Sequence, residues 1–500
     1  MTKKYQRYVH LLQKVADLEA VQALLGWDQE VNMPEAGAAS RARQLATVAG
    51  LSHELSTSEE LGDLLDALHA RGDQLGTAER RNVELSRREY LRQRRYNRDF
   101  VERHSRLCSE AYEKWLQGRT TNDSTAYLEV LDRMVQLKRE EAELLGYTDH
   151  PYDALLDLFE PETTVAELDP LFAEVRKKLV GFVARIREQA PIDQAFMQQK
   201  FATDVQWDFS LLLLRGMGYD FAAGRQDLSP HPFTTTFGPG DIRVTTRAEE
   251  NNFANMCWSS IHEGGHALYE QGLPAKAYGL PLGKAASLGI HESQSRLWEN
   301  NVGRSKRFWE YWYLRLQEHF PRQLARISLH QFYRAINRIE PSLIRTESDE
   351  LHYHFHILIR YEIEKQLIAG SLEVAQLPEV WADRYREYLG LEVPDARRGI
   401  LQDIHWAYGS FRYFPTYSLG SFYAAQFFHR AQQELPQLER NLAAGSTGTL
   451  LVWLREKIHR HGQHYSASDL CQRITGEKLN FQYFMSYAEK KYDEIYFKSL

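Results

Sequence analysis

Phe253-Ala254-Asn255-Met256-Cys257-Trp258-Ser259-Ser260-Ile261-His262-Glu263-Gly264-Gly265-His266-Ala267-Leu268-Tyr269 is apolar on both sides of a short polar pattern. It reads as a buried helix that Gly272 and Pro274 bring to an end. Residues four apart stack on one helix face, so His262 and His266 can offer imidazole nitrogens to a single ion. Glu263 projects beside that ion, where a base that takes a proton from water has to stand. Glycine in a helix interior costs about 1 kcal/mol relative to alanine, so the pair Gly264 and Gly265 breaks a local rule. Such a breach marks close packing or function. The pattern HEXXH occurs by chance in unrelated chains, and two helical histidines are often solvated or satisfied in a core. Here the apolar flanks bury the pair, and buried imidazoles need partners that a metal supplies.

Outward from this helix, composition sets bounds. Five hundred residues can bury a large core; the length permits two to four domains or one large helical domain. With 26% charged and 43% hydrophobic residues the chain resembles an ordinary soluble protein. A net charge of −7 makes it no obvious ligand for nucleic acid or an anionic membrane. The N-terminus, Met1-Thr2-Lys3-Lys4-Tyr5-Gln6-Arg7, has no apolar run behind its basic residues, and nowhere do eighteen apolar residues follow one another. A cytoplasmic protein is expected. Cys108, Cys257 and Cys471 are few, odd in number and far apart, which fits a reducing compartment and argues against a disulfide framework or a cysteine-built zinc site.

Up to about residue 120 the chain reads as helices. Tyr8, Leu11, Leu12 and Val15 recur at helical spacing, as do Leu61, Leu64, Leu65 and Leu68. The arginine-rich run from Arg80 to Arg98 is interrupted by Glu79, Glu84 and Glu89, so ion pairs such as Glu84 with Arg88 on a solvated face explain it better than a nucleic-acid contact. A further helix from Ser124 ends at Gly146, before a turn at Asp149-His150-Pro151. Another, from about Thr163 to Gln189, buries Leu168, Leu171, Phe172, Val175, Leu179 and Val180 on one stripe. The exception to helix is a hairpin: Thr234-Thr235-Thr236-Phe237, a turn at Gly238-Pro239-Gly240, then Ile242-Arg243-Val244-Thr245-Thr246. An open strand edge beside the metal could align a peptide by β-augmentation; the alternative is a purely structural hairpin.

A hydrolytic zinc site needs a third protein ligand and one open position. Downstream lies Ile290-His291-Glu292-Ser293-Gln294-Ser295-Arg296-Leu297-Trp298-Glu299, and spacing alone leaves His291, Glu292 and Glu299 as candidates. Glu292 falls near the start of what reads as a second helix, and Glu299 two turns further along the same face.

These residues, with others, carry a resemblance to the carboxypeptidase Taq family, metal-dependent carboxypeptidases of the gluzincin group, over essentially the whole chain. His262-Glu263-Gly264-Gly265-His266 with His291-Glu292-Ser293-Gln294 matches the family's HEXXH and HES/GQ motifs. Asp241-Ile242-Arg243-Val244-Thr245 matches DXRXT, and Gly399-Ile400-Leu401-Gln402-Asp403-Ile404-His405-Trp406 matches GXXQDXHW. Ile344-Arg345-Thr346-Glu347-Ser348-Asp349 matches IRXXAD except that serine replaces alanine. Weaker echoes are Trp27-Asp28 with Met33-Pro34, and Tyr152-Asp153-Ala154-Leu155-Leu156-Asp157. The resemblance implies His262, His266 and Glu292 as metal ligands and Glu263 as base. It implies a mainly helical fold of one metallopeptidase domain over residues 1–500, with two lobes around a deep groove that the helices of about 1–120 partly cover. It further implies a homodimer that removes single residues from peptide C-termini with broad specificity.

The remaining roles follow from chemistry. A terminal carboxylate suits the planar fork of arginine, and Arg345 and Arg243 are the candidates. Arg345 could instead form a helical ion pair with Asp349, and Arg243 could support the groove wall. Donors to the developing oxyanion are sought in His405 and in the tyrosines of Ser410-Phe411-Arg412-Tyr413-Phe414-Pro415-Thr416-Tyr417. Similarity to other gluzincins points to Tyr413 before Tyr417. Asp403 could fix the His405 tautomer or cap a helix. His352, His354 and His356 alternate on a helix and form no metal site; His459, His461 and His464 are expected at the surface. The expected ion is Zn²⁺, with Co²⁺ or another divalent ion as the alternative, and the partners are peptide substrates. A second reading is an oligoendopeptidase or dipeptidase on the same scaffold, and a third a non-catalytic helical binding protein.

Overall fold

The computed structural model describes residues 3–498; Met1 and Thr2, which begin the basic N-terminal stretch, lie outside them, as do Ser499 and Leu500. The expected mainly helical architecture is found, with 69% of residues in helix beside one small sheet. No helix among the described residues is long and apolar enough to cross a membrane. The chain forms two compact units, each assembled from three separated segments. The first holds the chain up to Arg94, Asp193–Ile336 and Tyr423–Leu479; the second holds Arg95–Ile192, Asn337–Phe422 and the chain from Asn480 onward.

In the first unit, the helix Lys3–Val31 buries Tyr5, Tyr8, Leu11 and Val15 at helical spacing. Tyr5, Tyr8 and Leu11 pack with Leu61, Leu65 and Leu68 of the helix Glu59–His69 into one cluster, with Leu12 and Leu64 at its margin. Burying each such side chain contributes about 1.5–3 kcal/mol. Ser58 caps the second helix by accepting from the Leu61 amide. In the helix Thr77–Gln93, Glu84 pairs with Arg80 at 3.9 Å and Arg81 at 4.0 Å rather than with Arg88, while Arg87 reaches Asp66 at 2.8 Å. The arginines lie on a face laced by ion pairs.

The hairpin consists of β2 (Thr234–Gly238) and β3 (Asp241–Thr246), antiparallel with an irregularity between Thr236 and Gly238. A third strand, β1 (Gln226–Leu228), pairs parallel to β3, giving the order β1-β3-β2. The sheet packs on the helix Phe253–Glu270. That helix is capped by Asn252, which accepts from the Asn255 amide, and also packs on the helices Thr203–Met217 and Leu288–Arg296. The helix Leu288–Arg296 starts at a Ser287 cap and runs into a π-helical stretch, Leu297–Val302. Such bulges re-phase the side chains that follow and occur at functional sites.

In the second unit, the helix Thr125–Leu145 stops at Gly146, whose φ of 74° suits a glycine. The helix Val165–Arg187 buries Leu168, Phe172, Val175 and Leu179 as expected. Val180, placed on the same stripe from sequence, is 46% exposed; the buried line continues through Phe182, Val183 and Ile186 instead. Two further helices, His352–Ala369 and Leu377–Leu389, complete this core with their buried aromatic and aliphatic faces. All three cysteines are free thiols.

Candidate active site

Gly265 allows the first unit's central helix to lie against its neighbour. A Cβ on Gly265 would fall 2.7 Å from Ser295 Cα and 2.8 Å from the Gln294 carbonyl oxygen. The two helices therefore touch backbone to backbone where one carries His262 and His266 and the other Glu292. Ligand atoms of these three residues all lie within 4.8 Å of one another. Glu292 Oε2 is 3.3 Å from His266 Nε2 and 3.6 Å from His262 Nε2.

Both remaining ring nitrogens are already engaged. His262 Nδ1 lies 2.8 Å from Glu299 Oε2, and His266 Nδ1 lies 2.6 Å from His291 Nδ1. His291 Nε2 in turn meets Glu270 Oε1 at 2.8 Å. A carboxylate can only accept, so in neutral imidazoles each Nδ1 of the ligand pair carries the hydrogen. Each Nε2 lone pair then faces the Glu292 carboxylate. Three acceptors converging with no hydrogen among them repel one another, and a cation turns that arrangement favourable. The charges agree. Glu292 and Glu299 pair with Arg296, at 2.7 Å and 3.1 Å, and Glu299 also lies 3.5 Å from Arg304, while Glu263 beside them has, among the described residues, only Thr234 as a hydrogen-bond donor. The two guanidiniums pair with Glu292 and Glu299 and leave Glu263 without a cation of its own, a place that a divalent ion would fill. The donor set therefore fits a divalent metal ion.

Thus the three candidates for a third ligand separate: Glu292 joins the histidine pair, Glu299 holds His262, and His291 holds His266. Burial opposes charge on Glu292 and Glu299, yet Glu292 is held well below the ordinary carboxylate value by Arg296 and the two histidines, and Glu299 is pushed down to about 2 because Arg296 and His262 outweigh it. Glu263 is 8% exposed, and burial raises its pKa above the ordinary carboxylate value. Thr234, at the start of β2, donates to Glu263 Oε2 at 2.6 Å and opposes that rise. Sequence reasoning missed Thr234, since a threonine in a β-branched run signals only a strand. Arg243 forks onto Asp241 with two bonds of 2.8 Å and lies over Trp27, at 4.3 Å, and Phe237, at 4.8 Å.

The other candidates lie together in the second unit. Arg345 does not pair with Asp349. The residues around it form only the short 3-10 turn Arg345–Glu347, and Asp349 caps the start of the next helix while bonding His352 Nδ1 at 2.6 Å. Arg345 instead bonds Asp403 Oδ1 through Nε at 3.1 Å and Nη2 at 2.9 Å, and Tyr353 through Nη1 at 3.0 Å. The other oxygen of Asp403 accepts from Arg360 Nε at 2.7 Å. Asp403 is thus spent on two arginines; His405 Nδ1 stays 4.0 Å away and meets no hydrogen-bond partner among the described residues, so Asp403 does not fix its tautomer. His405 Nε2 lies 3.2 Å from the Tyr417 hydroxyl, and its ring packs 5.3 Å from that of Tyr413. Burial lowers the His405 pKa to about 4, so the ring is neutral.

His352, His354 and His356 have separate partners in Asp349, Ser418 and Tyr385, as their alternation implies. His459 is not at the surface. It is fully buried, its Nε2 donates to Gln294 Oε1 at 2.9 Å, and its ring packs on Tyr269.

The family model described as Carboxypeptidase Taq (M32) metallopeptidase matches residues 7–492. Thermostable carboxypeptidase 1 of Thermus thermophilus is 42% identical, over 98% of this chain and 99% of its own length. Carboxypeptidase 1 of Bacillus subtilis is 38% identical, over 98% of each chain. The crystal structure of an M32 carboxypeptidase from Deinococcus radiodurans superposes with a TM-score of 0.97 at 37% identity, covering 99% of both chains.

Proposed function

Because this chain belongs to the carboxypeptidase Taq (M32) metallopeptidase family and is a metallocarboxypeptidase, we propose that His262, His266 and Glu292 hold its divalent ion and Glu263 is its general base. The convergence of two Nε2 lone pairs and one carboxylate oxygen carries this reading. Zn²⁺ suits two imidazoles and a carboxylate, and Co²⁺ or another divalent ion could replace it. Such an ion, once bound, polarises the scissile carbonyl and acidifies water. Glu263 takes the proton of the attacking water and returns it to the leaving amine; a carboxyl raised by burial is tuned for both directions of transfer. Thr234 keeps that carboxylate oriented. The substrate backbone adds along β2, which stands at the edge of the sheet and carries Thr234. Arg243, locked onto Asp241, Trp27 and Phe237, supports that edge as part of the substrate site.

Arg345 takes the terminal carboxylate. Two guanidiniums share one carboxylate in its cluster, and the unbalanced positive charge supports the assignment. His405, neutral and beside Tyr413 and Tyr417, supplies with Tyr413 the donors for the oxyanion. The family resemblance supports release of single residues with broad specificity, one metallopeptidase domain over the chain and a homodimer. The free thiols support a cytoplasmic location.

The test incubates the metal-loaded enzyme with one free-acid and one C-terminally blocked peptide and weighs the products. Single residues should leave the free-acid peptide only, whereas internal cleavage of the blocked one would mark an endopeptidase. Glu263→Gln should keep the metal while lowering turnover by about 10²–10⁴-fold, the range for losing an acid–base group. Near-normal hydrolysis by that variant removes the base assignment.

A further inference from the structure

We infer that Glu364 is a positioning residue for the oxyanion donors, clamping the turn between His405 and Tyr413. The inference rests on the roles proposed above for those two residues. Glu364 lies on the helix His352–Ala369 and is fully buried. Its Oε1 accepts from Trp406 Nε1 at 2.7 Å; its Oε2 accepts from the Arg412 backbone amide at 2.7 Å and from the Tyr152 hydroxyl at 2.5 Å. Trp406 immediately follows His405, and Arg412 immediately precedes Tyr413. One carboxylate therefore ties both ends of the segment 406–412 to a single point on a rigid helix.

That segment does not hold its shape by local preference. Arg412 has φ of 95°, a conformation that non-glycine residues avoid and that persists only where the surroundings impose it. The bond from its amide to Glu364 is one such imposition. Its guanidinium, lying 4.8 Å over the Phe159 ring, is another. Phe159 also meets the Tyr413 ring edge-on at 5.2 Å, so the strained residue and the proposed donor lean on the same side chain.

A fully buried carboxylate is an expensive way to hold a loop, because a well-packed apolar residue is often at least as stable. Burial holds the Glu364 pKa up to about 7, although Tyr152, the Arg412 amide and Trp406 all pull it down. A carboxylate is nonetheless the one small group that accepts from three donors without needing an acceptor of its own. Two sequence features with no assigned role, Tyr152 and Trp406, end on its oxygens. Placement of the donors is what this arrangement secures: misplacement by about 1 Å can lower a rate by roughly 10²-fold.

The test uses full-length, metal-loaded enzyme. Glu364→Gln is nearly isosteric, but its amide nitrogen must face at least one of the three donors. We expect kcat to fall by about 10–100-fold with KM, metal stoichiometry and metal affinity within 2-fold of the parent. Tyr152→Phe, which leaves two donors in place, should lower kcat by less and in the same way, and it serves as the probe if Glu364→Gln does not fold. The double variant Glu364→Gln with Tyr413→Phe should lose less than the product of the two single losses, since only His405 remains to be positioned once the Tyr413 hydroxyl is gone. Parental kcat in both Glu364→Gln and Tyr152→Phe, while Tyr413→Phe and His405→Gln are slow, overturns the clamp and leaves the donor roles standing. Losses that multiply in the double variant overturn it too. Full activity in both Tyr413→Phe and His405→Gln overturns the donor roles and the clamp together.

Discussion

Substituting Gly264 and Gly265 one at a time should give opposite results, although the two are neighbours in one helix. Alanine gains about 1 kcal/mol of helix propensity at either position. At Gly264 the new Cβ would lie 2.6 Å from Leu214 Cδ2 and 3.1 Å from Met217 Cε, the free ends of flexible side chains that can turn aside. Their repacking should absorb roughly the propensity gain, leaving Gly264→Ala within ~1 kcal/mol of the parent. At Gly265 the obstacle is backbone: Ser295 Cα at 2.7 Å and the Gln294 carbonyl oxygen at 2.8 Å. Carbon atoms in contact sit about 3.5–4.0 Å apart, so the helix Leu288–Arg296 must retreat by roughly 1 Å. Overpacking of ~3 kcal/mol, less the ~1 kcal/mol gained, predicts a net loss of about 2 kcal/mol. Glu292 rides on the displaced helix, so its 3.3 Å approach to His266 should widen and metal affinity should fall about 10–100-fold, the loss typical when a ligand's support is disturbed. Urea unfolding of the metal-free variants and competition with a chromogenic chelator measure the two effects. If Gly265→Ala keeps the parent's stability and metal affinity, close approach of the helices is not what the glycine provides.

Glu299→Gln should weaken metal binding about 10–100-fold in the same competition assay while keeping one ion per chain, because Glu299 orients His262 without ligating. Complete loss of the ion would instead make Glu299 a ligand. Thr234→Val removes a hydrogen bond that holds the Glu263 pKa down, so that pKa should rise. The base works deprotonated, and activity is lost as pH falls through its pKa, so the acid limb of kcat/KM should move to higher pH. An acid limb unchanged in the variant would separate Thr234 from the base. Burial first, then Arg455 and His291, lowers the His459 pKa from 6.5 to about 3. The unfolded chain then binds a proton that the native one refuses, so stability is lost as pH drops from about 6.5 toward 3. His459→Gln keeps a donor toward Gln294 and should make that decline shallower by up to about 1.4 kcal/mol per pH unit, measured by denaturant titration at several pH values. An identical slope would show that this imidazole does not contribute.

What the sequence made legible follows from the range of each interaction. The central helix, its stop near Gly272 and the pairing of His262 with His266 depend on residues close together in sequence, and these were readable, whereas its Asn252 cap was not singled out. The hairpin was readable from β-branched runs, but β1, three residues long, has too little pattern to register. Spacing left His291, Glu292 and Glu299 undivided because it fixes no helix rotation, and the π-helical stretch Leu297–Val302 changes the phase just where Glu299 lies. A local rule misled at Arg345: four residues from Asp349 suggested a helical pair, but no α-helix forms there and the true partner, Asp403, is 58 positions away. His459 looked like a surface histidine because polar residues surround it in sequence, whereas Gly272 leaves room for its ring; a Cβ there would sit 2.3 Å from His459 Nδ1.

The cluster around Asp403 carries a charge that stability alone does not explain. Arg345 is 6% exposed and Arg360 fully buried, yet they share one carboxylate, so one guanidinium is uncompensated among the described residues. Removing one partner from a simple buried ion pair costs about 3–5 kcal/mol, because the other charge is left alone. The same rule predicts an asymmetry here. Arg345→Met leaves Asp403 with Arg360 in a balanced pair and should stay within about 1 kcal/mol of the parent. Asp403→Asn strands two guanidiniums and should lose about 3–5 kcal/mol. If the surplus charge exists to meet a terminal carboxylate, Arg345→Met should also weaken inhibition by free-acid peptides about 10–100-fold, the equivalent of one charge-assisted bond, and leave C-terminally amidated peptides unchanged. Denaturant midpoints and inhibition constants for the two peptide classes test both halves. Should Arg345→Met destabilise the protein as much as Asp403→Asn while weakening both classes equally, the guanidinium is a structural member of the cluster and the carboxylate is recognised elsewhere.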